Sequence, residues 1–428
     1  MRPFVERVSH SPWLARFAWL TALATWGLVG IGGLVTSKGV GMAVPDWPTS
    51  YGYNMFALPV SMWLTGGVFD EHTHRLWATW VGVLVVALTR WLGGGESRKP
   101  LIGIGLVEIV AGLGLLALGP NWKGTGHVLM GIGGVVLLAG FVWTRNRRLP
   151  GLLPQLGWTA FFLVQIQGLL GGLRVVLDAH ILADVRLGTA FGILHGCLGQ
   201  IFLVLLCVIA VFVSKWWLTA VAGRNIESTR HFDNSTQPAM NAARGWVFFA
   251  TGVIFLQLML GAAMRHQHAG LAVPDFPLAH GQLYPATDSE SIREYNVWRI
   301  DHREFNPVTA AQIHLHMVHR FTGLGLLILV PYAAWRFRRA ARGLQAAGGG
   351  LANVWTGLVM VQAGLGILTV LQNKPADIAT AHVMVGAACL VTGAVLSLVA
   401  AEFSIATAKT VMQSPAHSLA SPAPQTQT

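Results

Sequence analysis

Long apolar stretches dominate the chain and restrict the folds that it can adopt. An α-helix needs about 20 mostly apolar residues to cross the hydrocarbon core of a bilayer. Ten runs have this character, at 17–37, 71–92, 101–119, 127–144, 155–176, 187–213, 245–264, 311–335, 351–371 and 379–402. Only 11% of the 428 residues are charged, against about 25% in soluble proteins. The sequence therefore predicts an all-α polytopic membrane protein with about ten transmembrane helices in a lipid bilayer.

The distribution of positive charge predicts the orientation. A net charge of +11 is compatible with nucleic-acid binding, but most arginines and lysines fall on one side once the helix ends alternate between two sides. Basic loops remain in the cytoplasm. We therefore predict no nucleic-acid partner and, for a chain that we expect in the bacterial plasma (inner) membrane, a cytoplasmic N-terminus. Four further arginines lie at helix mouths on the outer side: Arg75, Arg174, Arg265 and Arg320.

Two segments of the first half reappear in the second half. Met42–Pro48 (MAVPDWP) returns 229 residues later as Leu271–Pro277 (LAVPDFP). Glu71–Arg75 (EHTHR) returns 245 residues later as His316–Arg320 (HMVHR), so the intervening outer loop is 16 residues longer in the second copy. The chain is thus an internal duplication in which one glutamate corresponds to a histidine.

A third match locates an insertion. Gln167–Gly171 (QGLLG) corresponds to Gln362–Gly366 (QAGLG) at an offset of only 195 residues, so the first half has about 50 extra residues before Gln167. We predict two parallel four-helix halves and an inserted helical hairpin. The predicted units are 1–100 for helices 1 and 2 with their outer loop, 101–150 for the transmembrane hairpin, 151–220 for helices 3 and 4, 221–243 for a cytoplasmic linker, 244–405 for the second four-helix half, and 406–428 for a disordered C-terminal tail.

Four histidines lie in the outer part of the even-numbered core crossings: His74, His195, His319 and His382. An ionisable residue inside a membrane indicates a functional site. Neutral imidazole binds haem iron, zinc or copper. The second half is glycine-rich and apolar and has no cluster of thiolates or carboxylates beside its histidines, which favours haem with axial imidazoles. We expect haem sites near the outer face.

Residues beside these histidines have two interpretations each. Glu71 lies on the helical face of His74, where a carboxylate either acts on a ligand bound to the imidazole or stabilises the helix start. Arg75 and Arg320 either pair with haem propionates or extend to the membrane surface. A Gln-x-x-x-Gly pattern at 167–171, 257–261 and 362–366 serves either close helix packing or a flat macrocycle.

Together, the E-x-x-H-R segment at Glu71, the PDWP and PDFP loops, the RHQHAGLAVPDFPL segment at 265–278, and the HR pair at His319 resemble the haem A synthase family. The resemblance implies eight core helices in two bundles. It implies that haem B is held by His319 and His382 with Arg320, and that the substrate haem O lies between His74 and His195 with Arg75 and with Glu71 as the catalytic residue. All four histidines are then axial ligands of haem iron.

The implied reaction oxidises a ring methyl of haem O to a formyl group by successive hydroxylation and loss of water. An external electron donor is required, and haem O synthase and cytochrome oxidase assembly factors are further candidate partners. Val44 and Ser50 lie near positions where many members carry a cysteine pair, and the inserted hairpin is also unusual. The alternatives are a di-haem membrane electron-transfer protein and a haem carrier, in neither of which Glu71 has an obvious task.

Overall fold

The computed structural model describes residues 11–142, 148–149, 151–182, 185–221, 236–302, 307–342 and 348–413. Within these ranges, the helices long enough to cross a membrane are α1 (Pro12–Ser37), α3 (Gly66–Gly93), α4 (Arg98–Ala117), α5 (Lys123–Phe141), α6 (Leu153–Val176), α7 (Leu187–Phe212), α8 (Thr236–His266), α10 (Ala310–Ala340), α11 (Gly348–Leu371) and α12 (Ala376–Gln413). Shorter elements are α2 (Val60–Trp63), α9 (Ser289–His302), and the strands β1 (Ile181–Leu182) and β2 (Val185–Arg186). The prediction of an all-α polytopic membrane protein is confirmed.

Nine stretches of the described chain are long and apolar enough to span a membrane. One of them, Gly66–Ala117, is 52 residues long and contains both α3 and α4, which a short 3₁₀ turn at Gly94–Ser97 separates. These nine stretches therefore contain all ten predicted crossings. Helix α12 continues to Gln413, beyond the predicted start of the tail at 406. Residues 414–428 of the predicted tail and 222–235 of the predicted linker lie outside the described residues.

The eight core helices form two rings of four. In the first ring α1 packs on α3, α3 on α6, α6 on α7 and α7 back on α1; in the second, α8, α10, α11 and α12 pack in the same cyclic order. The rings meet where α1 and α7 contact α12 and where α7 contacts α8. At this interface the indole N–H of Trp26 donates to the carbonyl of Met384 (3.1 Å). Each half therefore closes around its own interior.

The hairpin of α4 and α5 lies beside the first ring. Its helices approach closely because glycines face each other, and a Cβ placed at Gly105 would lie 2.7 Å from the carbonyl oxygen of Gly133. Small residues at such interfaces allow backbones to approach in membranes. The buried guanidinium of Arg90 in α3 donates to the carbonyls of Ala139 (3.2 Å) and Val142 (3.1 Å). The hairpin is thus tied to the end of α3 opposite Glu71 and His74.

The two outer loops share their hydrogen-bond pattern as well as their sequence. The carboxylate of Asp46 accepts hydrogen bonds from the backbone N–H groups of Tyr51 (2.6 Å) and Gly52 (2.9 Å). Asp275 accepts the equivalent pair from the backbone five and six residues further on (2.7 and 2.9 Å). The longer outer loop of the second half accommodates α9, a helix that the apolar pattern does not predict.

Deleting the hairpin, residues 101–150, should leave haem binding largely intact, because both rings close without α4 and α5. The deletion removes two carbonyls that accept hydrogen bonds from Arg90, so it should be combined with Arg90→Gln to avoid leaving a buried cation without its partners. Haem content per protein, measured by absorbance of the purified variant, tests this. A variant that inserts and folds but contains no haem would contradict it.

Candidate functional site

The structure brings the four predicted histidines together in two pairs, one inside each ring. The imidazole centroids of His319 and His382 are 6.5 Å apart, with an angle of 67° between the ring planes. A metal bound to one nitrogen of each ring at about 2 Å places the two centroids roughly 6 Å apart. In the first ring, His74 and His195 are neighbours, and each lies against a glycine of an adjacent helix. The second pair therefore has a separation suited to bis-imidazole coordination.

Each imidazole faces a glycine on a neighbouring helix of its ring. A Cβ placed on that glycine would lie 3.0–3.4 Å from the imidazole Cε1, at Gly32 for His74 (3.0 Å), Gly171 for His195 (3.4 Å), Gly261 for His319 (3.4 Å) and Gly366 for His382 (3.0 Å). Such a contact is tighter than an ordinary van der Waals approach. The glycines therefore make room for the imidazoles, and a helix surface without side chains at these points is also what a flat macrocycle beside the histidines requires.

In three of the four cases, a glutamine lies one helical turn before the glycine and bonds to the histidine, either at a ring nitrogen or at the backbone carbonyl. Nδ1 of His195 lies 3.1 Å from the carbonyl oxygen of Gln167, and Nδ1 of His382 lies 3.0 Å from that of Gln362. If Nδ1–H donates to this carbonyl, the lone pair for a metal is on Nε2. Nε2 of His382 lies 3.4 Å from the side-chain nitrogen of Gln362, so this amide would have to turn away for a metal to bind there. The side chain of Gln257 donates to the carbonyl of His319 (2.9 Å). These contacts favour a packing and orienting role for the glutamines.

The fourth position differs. Leu28 lies four residues before Gly32 in α1, at the position that Gln257 occupies relative to Gly261 in α8. The helix of His74 therefore lacks the cross-link from a glutamine side chain that holds His319 in α10. The signal for this difference is present in the sequence, because the 229-residue offset of the outer loops also relates position 28 to position 257.

Several buried polar atoms around the two pairs lack a protein partner. Among the described residues these include Nδ1 of His74 and of His319, and the side-chain oxygens of Gln167, Gln257 and Gln362. Buried polar atoms are normally bonded, so a group of exceptions indicates a missing ligand or water. The described residues contain no cluster of three or more His, Cys, Asp or Glu side chains suited to a metal ion. Paired imidazoles with glycine walls fit haem better than a polydentate metal site.

Glu71 and Arg75 attach the first outer loop to α3. One oxygen of the buried Glu71 carboxylate accepts from the guanidinium of Arg75 (2.8 Å), and the other accepts from the backbone N–H of Val44 (2.9 Å). Arg75 also donates to the carbonyls of Val44 (2.9 Å), Asp46 (2.7 Å) and Thr49 (3.0 Å). Arg75 is therefore directed into the loop rather than towards the membrane surface. We call this set of bonds the loop clamp.

The second half repeats the loop clamp with different chemistry. His316 occupies the position of Glu71, and its Nδ1 accepts from the backbone N–H of Val273 (3.3 Å). Arg320 donates to the carbonyls of Val273 (3.0 Å) and Asp275 (2.7 Å), and its Nε lies 3.2 Å from Nε2 of His316. Both halves therefore close their outer loop in the same way, with a carboxylate in one and an imidazole in the other.

The surroundings shift the pKa values of two residues in the outer loops, Asp46 in the first half and His280 in the second half. Burial acts to raise the pKa of Asp46, but the bonds from Gly52, Thr49 and Tyr51 outweigh it and hold the pKa below its usual value. Burial lowers the pKa of His280 despite the opposing influence of the nearby Ala272 carbonyl. The ring of His280 stacks on Tyr295 at 3.7 Å between centroids. The first loop thus keeps an anionic anchor, and His280 serves as a neutral packing group.

Other polar groups near the mouths are engaged elsewhere. Nδ1 of His72 bonds to the hydroxyl of Ser50 (3.2 Å), and Nδ1 of His314 bonds to the hydroxyl of Tyr284 (2.5 Å). The ammonium of Lys38 pairs with Asp70 at 3.0 Å. None of these three contacts involves a residue of a histidine pair.

The fold and these sites define a class of protein: a duplicated helical-bundle membrane protein with a pair of histidines suited to haem in each half. The family model described as cytochrome oxidase assembly protein, COX15-CtaA, matches residues 122–395. The chain belongs to this family. The matched region contains His195, His319 and His382, whereas Glu71 and His74 lie before it.

Proteins named heme A synthase are similar to the chain. The protein of Bradyrhizobium sp. strain ORS 278 is 30% identical over 61% of this chain and 64% of its own length. That of Caulobacter sp. strain K31 is 27% identical over 91% of this chain and 96% of its own length. The protein of Hyphomonas neptunium is 24% identical over 86% of this chain and 88% of its own length. The match to the Bradyrhizobium protein thus spans less than two thirds of that relative, while the Caulobacter match extends across both halves.

Replacing Arg75 by methionine should lower the free energy of unfolding by about 3–5 kcal/mol, because it leaves the buried Glu71 carboxylate without its ion-pair partner. Thermal unfolding in detergent measures the change. The control is Arg148→Met, which breaks the exposed Arg148–Glu96 pair and should cost under about 1 kcal/mol. Equal losses in the two variants would show that the loop clamp contributes little.

Proposed function

We propose that this protein is a haem A synthase, which oxidises a ring methyl of haem O to a formyl group for cytochrome oxidase. The observation that carries the proposal is the presence of two equivalent histidine pairs whose neighbourhoods differ at one acidic position, Glu71 against His316. The family and the names of the relatives support the reaction. In this proposal the first half takes haem O as substrate between His74 and His195, and the second holds haem B between His319 and His382.

The difference at Leu28 supports this division between the halves. Gln257 cross-links α8 to the backbone of His319 (2.9 Å), which stabilises the helix that carries the proposed ligand of a resident cofactor. A leucine at the equivalent position leaves His74 without that cross-link. A substrate must enter and leave its site. A helix with fewer cross-links opens locally at a lower free-energy cost, which allows this exchange.

The residues of the first half have separate tasks in this proposal. His74 and His195 bind and orient the substrate through its iron, with the Nδ1 of His195 directed to the carbonyl of Gln167 (3.1 Å). Glu71, one helical turn from His74, handles protons during oxidation of the methyl group, as a carboxylate positioned by hydrogen bonds can do. When bound, the haem B of the second half would supply electron-transfer chemistry, with electrons from an external donor and dioxygen as the oxidant that the two hydroxylations require.

The loop clamp determines what Glu71 can do. Both of its oxygens accept hydrogen bonds, so proton transfer must proceed while the carboxylate remains bonded to Arg75 or after the outer loop separates from α3. We assign Arg75 and Arg320 the task of holding the outer loops over the two sites. This assignment differs from the expected pairing with propionates, because their guanidinium groups already donate to loop carbonyls.

In this proposal the protein works in the bacterial plasma membrane together with other proteins of haem metabolism. The sites lie near the outer face of the bacterial plasma membrane, with the N-terminus in the cytoplasm, consistent with the charge distribution. Haem O synthase would deliver the substrate and cytochrome oxidase assembly factors would receive the product. A di-haem electron carrier is the second candidate function, since Glu71 and His316 both make structural bonds to a loop N–H (2.9 and 3.3 Å).

Replacing His319 or His382 by alanine should empty the haem B site, because each change removes one proposed axial ligand. The measurement is the pigment content of protein produced without haem O synthase, so that haem B is the available haem. His314→Ala is the control, since its ring bonds to Tyr284 instead, and it should retain haem B. If haem B remains in both test variants, the ligand assignment is wrong.

Replacing Glu71 separates the two candidate functions. Glu71→Gln and Glu71→His both keep an acceptor for the N–H of Val44, and the histidine is the residue that the second half uses at this position. If Glu71 handles protons, both variants should bind haem O but form haem A about 10²–10⁴ times more slowly. Chromatography of extracted haem measures the product.

The matched control is Asp70→Asn, which removes the neighbouring carboxylate that pairs with Lys38 (3.0 Å) and should keep the parental rate. Parental rates of haem A formation in both Glu71 variants would limit Glu71 to the loop clamp. Failure of the parental protein to form haem A would favour the electron carrier.

A further inference from the structure

Two arginines at the outer ends of helices lie beside the histidine pairs without a bonded carboxylate. Arg174 is in the last turn of α6, and Arg265 is in the last turn of α8. Across the part of the chain that the structure describes, neither guanidinium has a carboxylate within 4 Å. A cation removed from water is costly unless an anion or several hydrogen bonds stabilise it. Both positions therefore call for an explanation.

Arg174 is positioned towards the first histidine pair. It lies three residues beyond Gly171, the glycine that faces His195. Its guanidinium rests against the segment after α1, where a Cβ placed at Gly41 would lie 3.1 Å from its Cζ. Its charge acts on both His74 and His195. The guanidinium thus lies at the outer rim of the proposed substrate site.

The nearby acids do not bond to Arg174. Glu71 and Asp178 are close enough for their charges to act on it, but the oxygens of Glu71 already accept from Arg75 (2.8 Å) and Val44 (2.9 Å). Arg174 donates no hydrogen bond to any residue whose position is described. Its five N–H donors are therefore available to a ligand, whereas those of Arg75 are largely used by the loop clamp.

Arg265 adds a second positive charge at the interface of the two rings. Its guanidinium donates to the carbonyl of Gly33 in α1 (2.6 Å), next to the glycine that faces His74. The charges of Arg174 and Arg265 act on each other. Like charges in a region of low dielectric repel unless an anion neutralises them. Glu71 and Asp178 offset part of this repulsion without bonding to Arg174, so an anion that bonds to its guanidinium would stabilise it further.

The second half has no arginine equivalent to Arg174. The 195-residue offset between α6 and α11 relates it to Thr369, whose hydroxyl donates back to the carbonyl of Leu365 (2.7 Å). The free cation is thus specific to the half that we assign to the substrate, and it is not a feature of the duplicated scaffold.

We propose that Arg174 binds a propionate carboxylate of the porphyrin in the first-half site and so fixes the rotation of the ring about the axis through its iron. The inference rests on the proposed function in taking haem O as that porphyrin. A guanidinium binds a carboxylate through two parallel hydrogen bonds. Rotation matters because it decides which ring methyl lies next to the side of the site that carries Glu71.

The test compares haem O with its dimethyl ester, which keeps the iron and ring but lacks both carboxylates. Each is titrated in detergent into protein whose second-half site is already loaded with haem B, and binding is followed in the Soret band. The parental protein should bind the free acid about tenfold or more tightly than the ester, as one charge-assisted pair typically provides. His74→Ala should weaken the titrated binding, which identifies the site.

Arg174→Gln should weaken binding of the acid to the level of the ester and leave ester binding unchanged, while Arg174→Lys should retain part of the preference. The matched control is Arg186→Gln, which removes an exposed arginine of the outer loop, and it should keep the full preference. If Arg174→Gln does not fold, the acid and ester affinities of the parental and Arg174→Lys proteins still decide the question.

Equal binding of acid and ester by the parental protein would overturn the proposal, and so would a preference that survives Arg174→Gln. An effect of Arg174→Gln that appears only in phosphatidylglycerol vesicles and not in phosphatidylcholine vesicles would assign the cation to lipid phosphate, which also overturns it. Haem A formation is measured separately. Acid-selective binding that depends on Arg174 without any haem A would refute the proposed reaction and leave this inference standing.

Discussion

The contact between an imidazole and a glycine on the neighbouring helix is the constraint on which both bundles depend. It occurs four times, with a distance of 3.0–3.4 Å from Cε1 to the place where a glycine Cβ would be. Apolar burial provides little attraction between helices in a membrane, so close backbones and polar bonds must hold them together. The glycines and glutamines that pack the helices therefore also build the walls of the two candidate haem sites.

The inserted hairpin is compatible with this constraint because of where it joins the chain. It enters after α3 and returns before α6, at the helix ends opposite the histidines, and Arg90 bonds to its carbonyls there (3.2 and 3.1 Å). The contact between α3 and α6 that closes the first ring persists beside it. An addition at this end changes the outline of the protein without altering the distance between His74 and His195.

Much of the architecture could be predicted from the sequence, because a motif that occurs twice in a duplicated chain indicates two equivalent positions in the fold. A parallel repeat places equivalent residues at equal depth, which located His74 and His319. The tasks of Arg75 and Arg320 could not be predicted, since their acceptors are backbone carbonyls whose directions depend on the path of the outer loops. The role of Arg174 could not be distinguished from that of the other helix-mouth arginines, because the sequence does not show which guanidinium groups lack a hydrogen-bond acceptor.

Three positions near the histidine pairs differ between the halves, and all three differences support the proposed division of tasks. The second half has His316, Gln257 and Thr369, whose side chains bond to the outer loop, to the neighbouring helix and to their own helix, respectively. The first half has Glu71, Leu28 and Arg174 at the same places, so it has an acid, a missing cross-link and a free cation. A permanent ligand requires rigidity, whereas a ligand that must enter, be oriented and leave requires recognition groups and freedom to open. In the proposed function, divergence at these three positions after duplication accounts for the different tasks of two otherwise similar histidine sites.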